Sequence, residues 1–497
     1  MTLLAMLLLP LIAAALSVLP RMRPAAPAFT VVSSATALIL ACQTALRITA
    51  GASAVTFRGL LSVDGLGVLI VCLVSLVATT AAVYSWGYMR ITSAQQPARL
   101  RLYYANYNLF VFAMLAIPMV VEPTLVWIFV ELTTLTSALL VSFENTQVAL
   151  EAAWKYVALS LMGAAIALLG FLVLFAALQA AGGEPYTWEG LTRAAPRMPP
   201  ALLKTAFALI LAGLGTKVGL VPLHTWLPDA HSQAPSPVCA LLSGIETTSV
   251  LYVILRLLPM LDASHFSGVR NCVVIFGLIS VGVAAFLLLQ VRDYKRLFAF
   301  STVEHMGIIL VAAGLASEAA HYGAMYQILS HTVTKSFCFF AAGAAVLTVT
   351  TREIAAVRGL VRSSPAAAAS LLLGGLAIAG APPLSVFVSE FLILKAGLAE
   401  GRYVVVGFLT LFIGIAFFGV LLHINRMVFG RRSDGSPSFR AESPPGAAAR
   451  VAERPTGLPH TCGLILLLGG ALVVLLGVYL PSPLHELLRL ASHGLQR

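Results

Sequence analysis

Apolar residues in this chain fall into long runs, and polar residues gather in short stretches between them. Crossing the hydrocarbon core of a bilayer takes about 20 mostly apolar residues in helical form. Runs of that kind recur from one end of the sequence to the other. They predict about fourteen transmembrane helices, at residues 2–19, 28–48, 61–84, 103–121, 124–143, 153–181, 203–222, 236–259, 271–290, 297–316, 321–349, 366–396, 403–429 and 462–480. The fold class is therefore all-α, a polytopic membrane protein. The first run is apolar from Met1 to Pro20 with no basic residue ahead of it, so it reads as a first span and not as a cleaved signal. Loops are short except for 430–461, whose Pro, Ser, Gly and Arg content predicts a flexible linker before the last helix.

Two runs are interrupted. The seventh contains Gly213, Gly215, Gly219 and Pro222; the twelfth contains Gly374, Gly375, Gly380, Pro382 and Pro383. Proline lacks an N–H and clashes with the preceding turn, so each helix is expected to unwind there. Unwound backbone persists at membrane depth only where protein or water satisfies it. The breaks lie five spans apart, which points to two inverted five-helix repeats with a working site near the midplane. The expected organisation is three leading helices (1–102), a first repeat of spans 4–8 (103–259), a second repeat of spans 9–13 (270–429), the linker, and a last helix with its tail (462–497).

Composition agrees with this picture. Of 497 residues, 59% are hydrophobic and 10% charged, against about 25% charged in a soluble domain. Mean hydropathy is +0.93. The net charge of +11 is scattered over loops, which argues against nucleic acid. Arg21, Arg23, Arg90, Arg99, Arg101, Lys155, Arg292, Lys295, Arg296, Arg352, Arg358, Arg362 and the six arginines of 426–454 follow odd-numbered spans. Those loops are expected to be cytoplasmic, with both termini outside. The six cysteines stand singly in or near apolar runs, with no spacing for zinc, haem or an iron–sulfur cluster. His224 and His231 flank TWLPDA, read as a loop, and with Asp229 they offer too few ligands for a metal. GLGTKVG (213–219) fails the Walker spacing, and no dinucleotide fingerprint is present. No cofactor is expected.

Charges inside the spans carry the chemistry. Each costs roughly 2.5–3.5 kcal/mol at the bilayer centre, so it must pair or face water. Glu131 lies deep in span 5, Lys217 at the break of span 7, Lys335 in span 11 one turn after His331, and Glu390 just past the break of span 12. Burial disfavours charge and a neighbouring opposite charge restores it, so such a set can hold or release protons as its geometry changes. Lys217 is expected to pair with Glu131. His305 and His331 are candidate relays, since imidazole titrates near neutral pH. The candidate translocation set is Glu131, Lys217, His305, His331, Lys335 and Glu390, with Glu144, Glu246 and Lys395 as auxiliary candidates.

At these residues the chain resembles a known family. KVGLVPLHTWLPDAHSQAPSPV (217–238) is similar to the hallmark of antiporter-like membrane subunits found in respiratory complex I, multisubunit sodium/proton antiporters and group 4 hydrogenases. DYKRLFAFSTVEHMGII (293–309) is similar to the family's approach to span 10. HTVTKSFCFFAAG and TREIAAVRGLVRSSP resemble the hydrogenase-4 component F and formate hydrogenlyase branch. The resemblance implies fourteen helices in two inverted repeats. It implies proton-carrying roles for Glu131, Lys217, Lys335 or His331, Glu390 and His305. Relatives in complex I carry a lysine in span 8, eight residues before the arginine matching Arg256; here Thr248 stands there, with Glu246 nearby. The implied function is a proton-translocating subunit in a bacterial or archaeal inner membrane. Its implied partners are other membrane subunits, a peripheral hydrogenase or dehydrogenase arm that holds the redox centres, and lipid. A sodium/proton antiporter subunit, a complex I subunit and a non-transporting scaffold are the rival expectations.

Overall fold

The structure is a computed structural model that describes residues 1–93, 96–263, 268–349, 351–430 and 457–495. Its helices are α1 (Thr2–Val18), α2 (Ala26–Thr49), α3 (Gly65–Thr92), α4 (Pro97–Met119), α5 (Pro123–Val141), α6 (Gln147–Ala180), α7 (Trp188–Ala194), α8 (Pro200–Val218), α9 (Trp226–Gln233), α10 (Ser236–Leu241), α11 (Thr247–Ala263), α12 (Val269–Leu288), α13 (Tyr294–Gly314), α14 (Glu318–Val349), α15 (Leu360–Ser363), α16 (Pro365–Ile378), α17 (Ser385–Ala399), α18 (Tyr403–Phe429), α19 (His460–Val478) and α20 (Ser482–His493). A π-helical turn, Leu242–Glu246, joins α10 to α11 into one span. Among the described residues, twelve helices are long and apolar enough to cross a membrane, and α1 and α16 are shorter apolar helices. The protein is thus an all-α polytopic membrane protein. Of the expected linker, residues 431–456 lie outside the described residues.

Both expected breaks are present, and they are built alike. Helix α8 ends on Gly219 at φ 85°, and α16 is followed by Gly380 at φ 76°, a left-handed conformation that only glycine adopts without strain. At each end two amides turn back. Leu220 N–H donates to Gly215 O at 2.8 Å and Gly219 N–H to Thr216 O at 3.2 Å. Ala381 N–H donates to Leu376 O at 2.9 Å and Gly380 N–H to Ala377 O at 3.3 Å. This is the same paired C-terminal cap in both places. Each break then runs Gly-x-x-Pro-Leu, with cis bonds at Val221–Pro222 and Pro382–Pro383. Freed backbone groups find protein partners, as membrane depth demands. Val221 N–H donates to Ser280 Oγ at 3.1 Å, Trp226 Nε1 donates to Thr216 O at 2.8 Å, and His305 Nε2 lies 3.2 Å from Ile378 O.

Some elements differ from expectation. TWLPDA is not a loop: Trp226–Gln233 forms α9, with Pro228 in the first turn, where its missing N–H costs no helical bond. The tail beyond span 14 contains α20, an amphipathic helix that buries Leu487, Leu488 and Ala491. A short hairpin, β1 (Val55–Phe57) and β2 (Leu61–Val63), precedes α3.

Small residues let the site-bearing helices approach closely. Gly163 and Gly213 face each other where α6 crosses α8, and Gly277 faces Gly307 where α12 crosses α13. Without a hydrophobic drive between helices in lipid, such backbone approach supplies the packing. The loops after odd-numbered spans meet on one face. There Arg296 bonds Asp229 at 2.5 Å, Lys155 lies 3.6 Å from Asp229, and Lys295 donates to Ala234 O at 2.6 Å. The opposite face carries Asp64–Arg256 at 2.5 Å, Asp262–Arg270, and Tyr322–His485 at 2.7 Å.

Candidate functional site

Helix α8 delivers Lys217 to the last turn before its break, in an almost fully buried position. The ammonium has three donors and three acceptors around it. These are Thr134 Oγ1 of α5, Tyr156 Oη of α6 at 3.5 Å, and Glu246 Oε1 of the π turn at 3.3 Å. Glu246 is 1% exposed, and Tyr156 Oη donates to the same carboxylate oxygen at 3.0 Å. Ser137 Oγ lies 2.8 Å from the Tyr156 hydroxyl, and the Trp226 ring packs on Tyr156 with centroids 4.5 Å apart.

The expected partner therefore gives way to another. Lys217 pairs with Glu246, not with Glu131. The cause is the π turn, which inserts one extra residue into span 8 and aims Glu246 inward. Glu131 is half-buried one turn before Thr134, within Coulombic range of both Lys217 and Glu246, and its Oε2 has no hydrogen-bond partner. Glu246 Oε2 is also without one.

The π turn connects this cluster to the second half of the chain. Gly244 presses against α14, where a Cβ would meet Ser336 Oγ at 2.6 Å. His331 Nε2 lies 3.0 Å from Ser243 O, so that nitrogen carries the proton and Nδ1, buried without a partner, is free to accept. Its ring stands 5.2 Å from that of His305. His305 Nε2 donates to Ile378 O, and its Nδ1 lies 3.4 Å from Gln327 Nε2. Gln327 Oε1 accepts from Ser389 Oγ, next to Glu390 on α17.

Lys335, fully buried one turn beyond His331, donates to Phe298 O at 2.5 Å and to Ser301 Oγ, both on α13. No carboxylate oxygen lies within 4.0 Å of it among the described residues. Glu304 on α13 is the acid in Coulombic range of Lys335, and it also acts on Glu390. Glu390 is buried, and its Oε2 lies against Gly380, 2.5 Å from where a Cβ there would stand.

Helix packing thus buries Lys217, Glu246, His331, Lys335, His305 and Glu390 in the interior between α8 and α17, with Glu131 half-buried beside them on α5. Further hydroxyls, of Thr248, Ser330, Thr332, Thr334 and Ser385, are buried without partners. Two auxiliary candidates stand apart. Glu144 is exposed in a short turn after α5, and Lys395 is exposed on α17. Sequence reasoning missed Thr134, Tyr156, Ser301 and Glu304. Thr134 did signal itself, since it follows Glu131 by three residues and so shares its helix face. Glu304 signalled itself as an isolated acid inside an apolar span, five spans after Glu131.

Comparison with known proteins agrees on the fold. Residues 122–416 match the family described as NADH:quinone oxidoreductase/Mrp antiporter, transmembrane. A hydrogenase-4 component F homolog of Methylacidiphilum infernorum is 36% identical over 387 residues, covering 76% of this chain and 80% of that one. Hydrogenase-4 component B of Escherichia coli is 30% identical over 348 residues, 67% of this chain but half of that protein. Among solved structures, a chain of an archaeal membrane-bound sulfane sulfur reductase superposes with a TM-score of 0.85 at 22% identity, over 99% of this chain and 98% of that one. A chain of the Mrp complex of Dietzia sp. DQ12-45-1b superposes at 0.83 and 19% identity, over 99% and 97%.

Proposed function

The chain belongs to the NADH:quinone oxidoreductase/Mrp antiporter transmembrane family, and from that premise we propose that it moves protons across an inner membrane. It does so as one subunit of a hydrogenase-4- or formate-hydrogenlyase-like respiratory complex. The relative at 36% identity is a hydrogenase-4 component F homolog, which favours that branch over an antiporter or complex I. Fourteen spans follow if α1 and the pair α16–α17 each cross once. Spans 4–8 and 9–13 then form two inverted repeats, a reading supported by the matched caps at Gly219 and Gly380.

One observation carries the functional reading: a set of buried charged and polar side chains lies between the two broken helices. A scaffold has no use for such costly charges. Glu131, Lys217, His331, Lys335, His305 and Glu390 hold or pass the proton, and unpaired hydroxyls among them offer sites where water bridges fixed groups. Partner subunits supply the redox chemistry. A peripheral arm docks on the face that gathers Lys155, Arg296 and Arg352, which this reading makes cytoplasmic, leaving both termini outside.

The test is proton uptake by inverted vesicles that carry the complete complex. Lys217→Ala and Glu131→Gln are expected to abolish uptake while partner turnover continues. Full uptake in both, with the complex intact, would overturn the reading, and uptake that follows sodium instead would move the chain to the antiporter alternative. A cleavable tag within 431–456 is expected to be cut from the cytoplasmic side; protection there would reverse the orientation.

A further inference from the structure

Lys217 has two carboxylates and one charge to share. In the conformation described, all three of its N–H donors are used, on Thr134, Tyr156 and Glu246. Glu131 gets none of them, and its Oε2 stands buried without a partner on α5, one turn before the Thr134 that the ammonium holds. Two ionised carboxylates with one ammonium would leave an uncompensated negative charge in a low-dielectric site, which is strongly unfavourable. One added proton removes it, and that proton belongs on whichever carboxylate the lysine does not hold.

We propose that Glu246 and Glu131 are alternate seats for Lys217, and that changing seats moves one proton. In one state Glu131 is a neutral acid and Lys217 pairs with the Glu246 carboxylate. In the other, Lys217 pairs with the Glu131 carboxylate and Glu246 is the neutral acid. One O–H bond breaks at Glu131 and one forms at Glu246. The lysine stays an ammonium, and the site keeps the same number of protons. The net result is a proton carried from α5 to the π turn, beside Ser243, whose carbonyl meets His331. The inference rests on the transport reading above and extends it by making Glu246 a carrier of the proton.

The geometry suits an exchange of seats. The bonds to Thr134 and Tyr156 come from α5 and α6, so they can hold the ammonium while it trades one carboxylate for another. The π turn is a one-residue insertion that an α-helix can absorb by shifting register. Thr248, two residues on, is a neutral hydroxyl without a partner and adds no second cation to compete.

Dicyclohexylcarbodiimide tests this, because it reacts with protonated carboxyls buried in membranes. Membranes holding the assembled complex would be labelled and the adducts mapped by mass spectrometry. In the wild type the adduct is expected on Glu131, with Glu246 labelled at least tenfold less. Lys217→Ala is expected to raise Glu246 labelling to the level of Glu131. Glu246→Gln leaves Glu131 as the one carboxylate seat and is expected to cut its labelling severalfold, and Glu246→Asp restores it. Absence of label on both acids in the wild type, or undiminished Glu131 labelling in Glu246→Gln, overturns the exchange. The wild-type pattern decides even if a variant fails to assemble. Lost vesicle uptake in Lys217→Ala together with a wrong labelling pattern refutes the exchange alone, whereas retained uptake refutes the transport reading itself.

Discussion

Gly213→Ala adds a single methyl group, and the structure specifies what that methyl meets. A Cβ at Gly213 would press on the Gly163 carbonyl oxygen and stand 2.5 Å from Ala167 N and 2.8 Å from Ala167 Cα. All are backbone atoms of α6 and none can swing aside. Helices α6 and α8 must part by about 0.5 Å to reach even a tight contact, and a gap of that size forfeits about a quarter of each dispersion contact along the crossing. Overpacking of this kind costs roughly 1–3 kcal/mol. The parting also reaches the site. Gly213 lies one turn before Lys217, and the bond from Lys217 to Tyr156 of α6 is already at 3.5 Å. It would break, and a hydrogen bond to a charged group contributes about 1.5–3 kcal/mol. The lysine's seat would then be depopulated by roughly tenfold or more. Initial rates of proton uptake in inverted vesicles, normalised to complex on a native gel, are expected to fall by at least that factor. Gly407→Ala on α18 is the control, since nothing lies within 4 Å of a Cβ there. Wild-type uptake in Gly213→Ala, or an equal loss in Gly407→Ala, refutes the reasoning.

Three further outcomes are expected. Ser301→Ala leaves Lys335 with Phe298 O as its remaining bonded acceptor, so uptake should drop several-fold, and Lys335→Ala should abolish it; equal rates in Ser301→Ala and wild type would remove Ser301 from the site. Glu304→Gln removes the acid that acts on both Lys335 and Glu390, and is expected to reduce uptake with normal assembly, a result that unchanged uptake would contradict. Outside the membrane, Asp64 caps α3 through Gly67 N–H at 2.9 Å and bonds Arg256 at 2.5 Å; burial opposes its ionisation, but Arg256 and the Gly67 amide outweigh that and hold it below the usual carboxylate range. A depressed carboxylate stabilises the fold above its unfolded value of about 3.9 and loses that contribution as pH falls through the folded value. Asp64→Asn keeps a capping oxygen, so in detergent it should melt a few degrees below wild type at pH 7, with the difference closing below about pH 4; a constant difference across that window would refute the assignment.

How far the sequence could be read depended on the cost attached to each feature. Hydrocarbon imposes the largest costs, so the spans, the glycine–proline breaks and the isolated charges Glu131, Lys217, Lys335 and Glu390 stood out in one dimension. Features with no such cost stayed hidden. Tyr156 is apolar enough to pass as span filler, yet its hydroxyl touches both Lys217 and Glu246. Thr134 and Ser301 are common helix residues whose importance lies in which lysine they face. The pairing of Lys217 was misread for a geometric reason. Helical periodicity assumes 3.6 residues per turn, and the π turn at Leu242–Glu246 breaks that count where Glu246 enters the site. Thr248 is buried and its hydroxyl unbonded, while Glu246 two residues earlier holds the ammonium. The second half is built differently: Lys335 holds neither Glu304 nor Glu390 and rests on Phe298 O and Ser301 Oγ of α13, acceptors that no charge pattern in the sequence marks.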